Sequence, residues 1–483
     1  MRRHRLAWDE RGVIIMKLPI LKGIYTDEAA DFRTSYPRNM IPVPNSTGID
    51  DGYLRPAEGI TTFATANGPG PDRGAINWNG VLYRVMGSDL ISIDSAGVIT
   101  TIGTIGGTDS AVRMDYSFDY LGIISDGEFW LYDGTTLTQN TDPDLGVVLD
   151  TVYVDGYWLL TDGEFLIITD LGNPFSVNPT KYGSSEVDPD PITGLLKIRN
   201  EPYALNRNTI EVFQNVGGSG FPFQRVEGTR IDRGSIGTFS KCWFLGTVAF
   251  MGGARNESPA IWLGLNADTT KISTREIDTI LQEFTEAELE TVVLEPKVDR
   301  SHQHLWVRLP DRTMVYDAAA SRILQTPVWF ELSTSIVGHA AFQGQNLCWV
   351  YDKWIVGNQS CCVGYLDKTT SEHFGETTGW DFETYFIYNE SNSAIINELE
   401  LVCLPGRVPL GKDPVVWTSW TIDGESYSQE RAISAGKIGE RNKRLVWLQQ
   451  GHFRNYRSQR FRGTSDSHLA VARLEAQIEG CQY

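Results

Sequence analysis

The stretch SDGEFWLYDG (125–134) returns 36 residues later as TDGEFLIITD (161–170). Each copy sets a polar Asp-Gly turn before a run of aromatic and β-branched residues. Asp and Gly tolerate the left-handed backbone angles of tight turns, so each copy reads as a hairpin. Related units run at NGVLYRVMGSDLISID (79–94), DYLGIISDGEFWLYD (119–133), DGYWLLTDGEFLIITD (155–170) and EPYALNRNTIEVFQ (201–214). Fainter ones follow at GTVAFMGGARNESPAIWLG (246–264), HQHLWVRLPDRTMVYD (302–317) and DKWIVGNQSCCVGYLD (352–367). Their starts lie 36 to 56 residues apart, and recurrence at roughly 40–50 residues with several strands per period is what propeller blades give.

The physical logic favours the same architecture. A lone blade leaves both faces wet, whereas a closed ring covers each face with its neighbour and leaves only short edges. The expectation is an all-β chain with a β-propeller of six or seven blades over 51–375. The competing reading is a string of unrelated hairpins in β-sandwiches. One insertion breaks the pattern at STREIDTILQEFTEAELETVV (273–293), where Ile277, Ile280, Leu281 and Phe284 recur at helical spacing. Thr285 and Glu288 there form a capping box for a second short helix. Beyond 375 the spacing changes, and 376–483 reads as a separate antiparallel β domain. Residues 1–50 read as an N-terminal extension and arm, with Met16 as a candidate start preceded by fifteen disordered residues.

Composition narrows the function classes. Among 483 residues there are 47 Gly, 14 Trp, 19 Tyr and 20 Phe, a mixture suited to strands and tight turns. The net charge of −19 argues against electrostatic wrapping of nucleic acid. From 435 onward nine Lys/Arg face four Asp/Glu, so that tail is about +5 and the remainder about −24. A basic tail on an acidic body suits an acidic protein partner or DNA; solvated strand faces are the plainer reading. The six Cys have no metal-ligand spacing and read as reduced thiols, with Cys361 and Cys362 facing opposite ways on a strand. No apolar run reaches membrane-spanning length, and the basic opening lacks the apolar centre of a secretory signal.

Chemistry is sparse. There is no phosphate-binding loop, no H-E-x-x-H and no G-x-S-x-G. His302 and His304 share one strand face but lack an evident third ligand, so no metal and no cofactor is expected. TIDGESY (421–427) resembles the Asp-box turn of sialidases, a structural feature where it occurs. Arg225, Arg230 and Arg233 are the nearest thing to an anion-binding cluster, and a loop between blades explains them equally. RNYRSQRFRG (454–463) interleaves Arg with Tyr456 and Phe461, a pattern for nucleic acid or for an acidic protein face. The protein partner is preferred, with Arg454, Arg457, Arg460, Arg462 and Trp447 as the candidate interface.

At LPILKGIYTDEAADFRTSYPRNMIPVP (18–44), GYLRPAEGI (52–60), LIITDLGNP, RNTIEVFQNVGG, REIDTILQEFTEAELE, RTMVYDAAAS and KRLVWLQQGHFRNYRSQRFR, the chain resembles the packaged-DNA-stabilisation or tail hub (nozzle) proteins of short-tailed bacteriophages. The segments keep their order over nearly the whole chain, while the middle blades and 375–430 match poorly. The resemblance implies a non-enzymatic virion component, made in the host cytoplasm, that forms a homohexameric ring below the portal and its adaptor. It further implies an extended DNA channel, retention of packaged genome, attachment of tailspikes or fibres, and a plug or needle at the end. An acidic lumen would let genomic DNA slide without sequence-specific binding. On this reading the arginines of 454–462 meet the adaptor or a neighbouring subunit, and reversing them to Glu stops incorporation into particles. The alternatives are a propeller glycosidase or depolymerase, and a glycan-binding tail module acting on host polysaccharide.

Overall fold

In the computed structural model, SDGEFWLYDG forms the middle hairpin of a four-stranded antiparallel sheet, with strand Leu121–Ser125 paired to Glu128–Tyr132. The turn residues Asp126 and Gly127 have φ of 48° and 83°, the mirror-image geometry that matches strand twist. TDGEFLIITD holds the same place in the next sheet, between Tyr157–Thr161 and Phe165–Asp170. There Asp162 caps a wider loop, its carboxylate accepting the Glu164 and Phe165 N–H groups. The structure describes residues 13–26, 31–44, 52–185, 187–299, 302–388, 392–454 and 456–481. Residues 1–12 of the expected extension lie outside these.

By contact the chain separates into two compact units. One comprises 62–310 and 343–366. It contains seven inner strands: Asp72–Trp78, Arg113–Tyr116, Asp150–Val154, Ile192–Ile198, Lys241–Phe244, Val293–Asp299 and Gln345–Val350. Each contacts the next, and the seventh contacts the first, so the ring closes with seven blades. The closing seam is fastened by the chain entering the ring, where the Phe63 and Ala64 N–H groups donate to the Val363 carbonyl of the seventh blade. Ile, Leu and Val sit on both faces of the strands because both are covered. One cluster joins blades seven and one through Leu82, Ile91, Cys348 and Ile355, and another joins blades two and three through Phe129, Leu131, Trp158 and Ile167.

The inserted segment 273–293 is helical, as its spacing requires. Helix Arg275–Gln282 buries Ile277, Ile280 and Leu281, and Glu286–Glu290 starts from the complete Thr285/Glu288 capping box. Cys361 and Cys362 differ from expectation. They sit in a turn between Lys353–Gly357 and Val363–Asp367, with Cys361 at φ 65°, because Asn358 bends the chain by accepting the Cys362 N–H.

The second unit comprises 1–61, 311–342 and 367–483. Two sheets build its sandwich. One pairs Ser393–Cys403, Leu445–Phe453 and Val471–Cys481 with the N-terminal strands Val13–Leu18, Met40–Pro44 and Gly52–Pro56. The other holds Gly379–Glu383, Ile387–Tyr388, Val415–Thr421, Arg431–Ser434 and Tyr456–Thr464. Leu18, Met40, Leu54, Phe382, Leu399, Trp447, Phe461 and Leu474 share one buried core. The N-terminal strands therefore belong to the sandwich sheet; Val13 to Ile15, upstream of Met16, pair with Glu479 to Gln477 of the last strand. A hairpin of Thr313–Asp317 and Trp329–Leu332, bridged by helix Ala318–Leu324, completes the unit.

Candidate functional site: a basic strand and buried charge clamps

Strand Tyr456–Thr464 carries the arginines picked out by sequence, and the fold gives them different duties. Alternation turns Phe461 into the sandwich core with Trp447, the two rings 5.6 Å apart. Trp447 is buried, its indole N–H donating to the Arg431 carbonyl at 3.1 Å. Arg457 is also buried: it donates to Gln459 Oε1 and the Gln450 carbonyl and lies over the Trp420 ring at 4.6 Å. Burial without a carboxylate pulls its pKa down to about 9.

Arg460 and Arg462 lie on the opposite face. Arg460 reaches Asp381 at 2.6 Å and Glu383 at 3.8 Å, and Arg38 joins the same Asp381 at 2.9 Å. Arg462 clasps Glu430 and lies over the Trp417 ring. Burial alone would raise the Asp381 pKa, but Arg38 and Arg460 hold it below the usual carboxylate range. Of the five expected interface residues, only Arg454 is exposed; within one chain the others hold the sandwich together. The acids that Arg462 and Arg460 meet within the chain lie on segments 32 to 79 residues away in sequence.

Among the other sequence candidates, the arginine cluster and the TIDGESY turn resolve as structure. Arg225, Arg230 and Arg233 each face an acid, Arg233 pairing with Glu257 at 2.8 Å while covering the Trp262 ring at 4.0 Å. His302 and His304 point to one side of their strand with rings 5.2 Å apart. Asp423 of TIDGESY accepts the Glu425 and Ser426 N–H groups, and those bonds with the Ser426 and Thr421 hydroxyls hold its pKa far below normal. A shallow hollow beside Tyr120 and Phe175 offers one carboxylate, Asp133. The Thr136 and Thr135 N–H groups depress its pKa, the reverse of what a glycosidic acid needs.

What sequence reading missed are charges buried around the propeller axis. Asp72 of blade one forms a two-pronged pair with Arg84 at 2.9 and 2.7 Å and accepts Asn346 of blade seven at 2.7 Å. Asp150 of blade three binds Arg113 of blade two at 2.8 Å, Lys241 of blade five at 2.7 Å and the Leu195 N–H of blade four at 2.8 Å. Burial pushes Asp150 up, yet the two cations leave it below the usual range. Glu295 of blade six accepts the Leu347 N–H of blade seven at 2.8 Å and clasps Arg308. Each carboxylate ties blades that hydrophobic faces alone would leave free to slide. Their partners lie up to 274 positions away, so no local pattern marks them.

Comparison with known proteins fits this geometry. The family model for the bacteriophage P22 Gp10 β-propeller matches residues 16–371, and that for the P22 Gp10 β-sandwich matches 379–479. The tail hub protein gp10 of Salmonella phage P22 is 25% identical over 491 residues, covering 96% of this chain and all of that protein. Solved structures resemble the chain more distantly. The computationally designed Ika8 protein has a TM-score of 0.39 at 10% identity, covering 73% of this chain and 98% of its own. The Pan2 WD40 domain of Neurospora crassa gives 0.41 at 9%, covering 64% and 95%. The charge divides with the matched segments: 379–479 holds 12 Lys/Arg against 13 Asp/Glu, and 16–371 holds 26 against 44. With its propeller and its sandwich both accounted for, the chain belongs to the P22 Gp10 family of phage tail hub proteins.

Proposed function

We propose that this chain is a non-catalytic building block of a phage tail, a hub that extends the DNA path out of the head. The carrying observation is the match of propeller and sandwich in order across 96% of the chain to a tail hub protein. The proposal includes a sixfold ring below the portal and adaptor, attachment of tailspikes or fibres and of a terminal plug, and retention of the packaged genome. A part that holds DNA under pressure must resist shear, and the buried clamps on Asp72, Asp150 and Glu295 supply blade-to-blade stiffness. The acidic excess of the propeller segment suits a conduit, since carboxylates repel phosphates and let the duplex slide. No helix of the described residues is long and apolar enough to cross a membrane.

The test is DNA retention in particles assembled without this protein but with every other structural protein. Heads that package and then empty, and that added purified protein keeps full, are the expected result. Heads that remain full without it refute the hub reading.

A further inference from the structure

Two loops of the sandwich unit, 404–414 and 435–444, lie side by side, with the Gly439 N–H donating to the Gly406 carbonyl at 3.2 Å. Together they expose Arg407, Lys412, Lys437, Arg441, Lys443 and Arg444 against the acids Asp413 and Glu440. Three of the cations are engaged at home: Lys412 with Asp466, Lys437 with Asp413, and Arg444 with Glu398 and Glu400. Arg407, Arg441 and Lys443 have no ion pair among the described residues. The same loops hold Leu404, Leu410 and Ile438 out in solvent, Leu410 being 86% exposed. Aliphatic side chains standing in a basic field mark a protein-docking surface.

The propeller unit carries the complement. In an antiparallel four-stranded blade the first and third turns emerge at the same end. Blade three shows it directly, since Leu171 of its third turn fills the space beside Gly156 of its first. Neighbouring blades share that end: Asp155 accepts the Asn200 and Asn215 side-chain amides of blade four. Exposed there are Phe118 (88%), Leu171, Trp243 and Trp349. Asp94, Asp119, Asp133, Asp155, Asp268 and Asp352 are exposed in the same set of turns, together with the cation Arg199.

We infer that the basic loops of one copy's sandwich dock on the acidic, aromatic end of the next copy's propeller. A closed ring has heterologous interfaces, so one chain must carry two different and complementary patches. These two have opposite charge and both expose apolar anchors. Duplex DNA would use the cations, but it has no use for Leu404, Leu410 and Ile438, and it would leave the aromatic propeller end without a partner. The inference rests on the hub reading and adds to it the faces through which copies meet.

Charge exchange tests it. The full-length variants R407E/R441E/K443E and D119K/D352K are offered separately, and then combined in one chain, to particles lacking this protein. Thermal melting of each variant confirms folding, and the readout is copies incorporated per particle. Each set alone should lower incorporation about tenfold or more, because like charges face each other across the contact, and the combined chain should recover most of it. Incorporation that is unchanged in either set overturns the inference. So does loss in both sets without recovery in the combined chain, which would assign the patches to the adaptor or the fibres. Normal incorporation with leaking heads in R407E/R441E/K443E would assign the loops to DNA and likewise overturn it. If the unmodified protein itself is not incorporated, the hub reading fails. If it is incorporated and the exchange fails, only these faces are wrong.

Discussion

Arg454 and Arg457 sit three residues apart, yet they answer to different forces. Arg454 meets solvent, whereas Arg457 is enclosed by Trp420, Gln459 and Gln450. Arg457→Glu should therefore destabilise the chain by about 3 kcal/mol or more, since it buries an uncompensated carboxylate among acceptors. Arg454→Glu should leave the melting temperature unchanged. Equal shifts in urea or thermal unfolding would contradict this placement. His373 makes a second prediction at this scale. It is packed edge-on to Phe342 at 4.6 Å and touches the Thr334 hydroxyl, and burial lowers its pKa from 6.5 to about 3. The unfolded chain then takes up the proton first on acidification. Its contribution to stability is full above pH 6.5 and is lost as pH falls toward 3. His339 runs the other way: its bond to Glu331 raises its pKa, so its contribution is present below 6.5 and lost as pH rises through the raised value. Comparing His373→Asn with the parent isolates the first term. Between pH 6.5 and 4.5 the variant should lose about 2 kcal/mol less than the parent in denaturant titrations. Parallel losses would show that His373 is accessible to protons in the native state.

At the scale of elements, blade turns and blade clamps do separate work. The first turns at Asn79–Gly80, Asp155–Gly156, Arg199–Asn200, Leu245–Gly246 and Tyr351–Asp352 all place two successive residues at positive φ. Asn-Gly and Asp-Gly advertise that geometry in the sequence; Arg199-Asn200, Leu245-Gly246 and Tyr351-Asp352 adopt it because their strands are already paired. The clamps make a stronger claim. Asp150→Asn removes the charge that compensates buried Lys241 and faces Arg113, and should cost about 3–5 kcal/mol. The pair Asp150→Asn with Lys241→Met should cost less than the single change, because the fully buried Lys241 charge is then not stranded while Arg113 keeps some access to water. Urea unfolding of the three proteins decides it, and additive losses would mean the pair is not coupled. Thr285→Ala removes the capping box of the second inserted helix and should cost about 1 kcal/mol on the same assay.

For the whole molecule, chain order and spatial order diverge. The sandwich borrows Val13–Leu18, Met40–Pro44 and Gly52–Pro56 from the opposite end of the chain, and these cover the edge of Val471–Cys481 and complete the core with Leu18, Met40 and Leu54. Residues 376–483 expressed alone should therefore aggregate through that edge strand, and co-expression with residues 13–61 should restore a soluble sandwich. Light scattering and intrinsic Trp fluorescence would report both outcomes. A soluble, cooperatively melting 376–483 fragment would show that the borrowed strands are dispensable.

Sequence by itself determined the repeated strand–turn–strand unit, the helical interruption with its capping box, the change of spacing near 375 and the uneven charge. These follow from periods of two and 3.6 residues and from turn chemistry, which are local. Six or seven blades were legible; seven became definite only when inner strand Gln345–Val350 met Asp72–Trp78 across the closing seam. Only tertiary structure decided that RNYRSQRFR is mostly internal. Alternation says which residues share a strand face, but not that Asp381, Glu383 and Glu430 lie across from it. The axial clamps were invisible for the same reason. A buried charge is defined by partners that loop closure brings from other blades, and a single sequence records the charges without recording which of them meet.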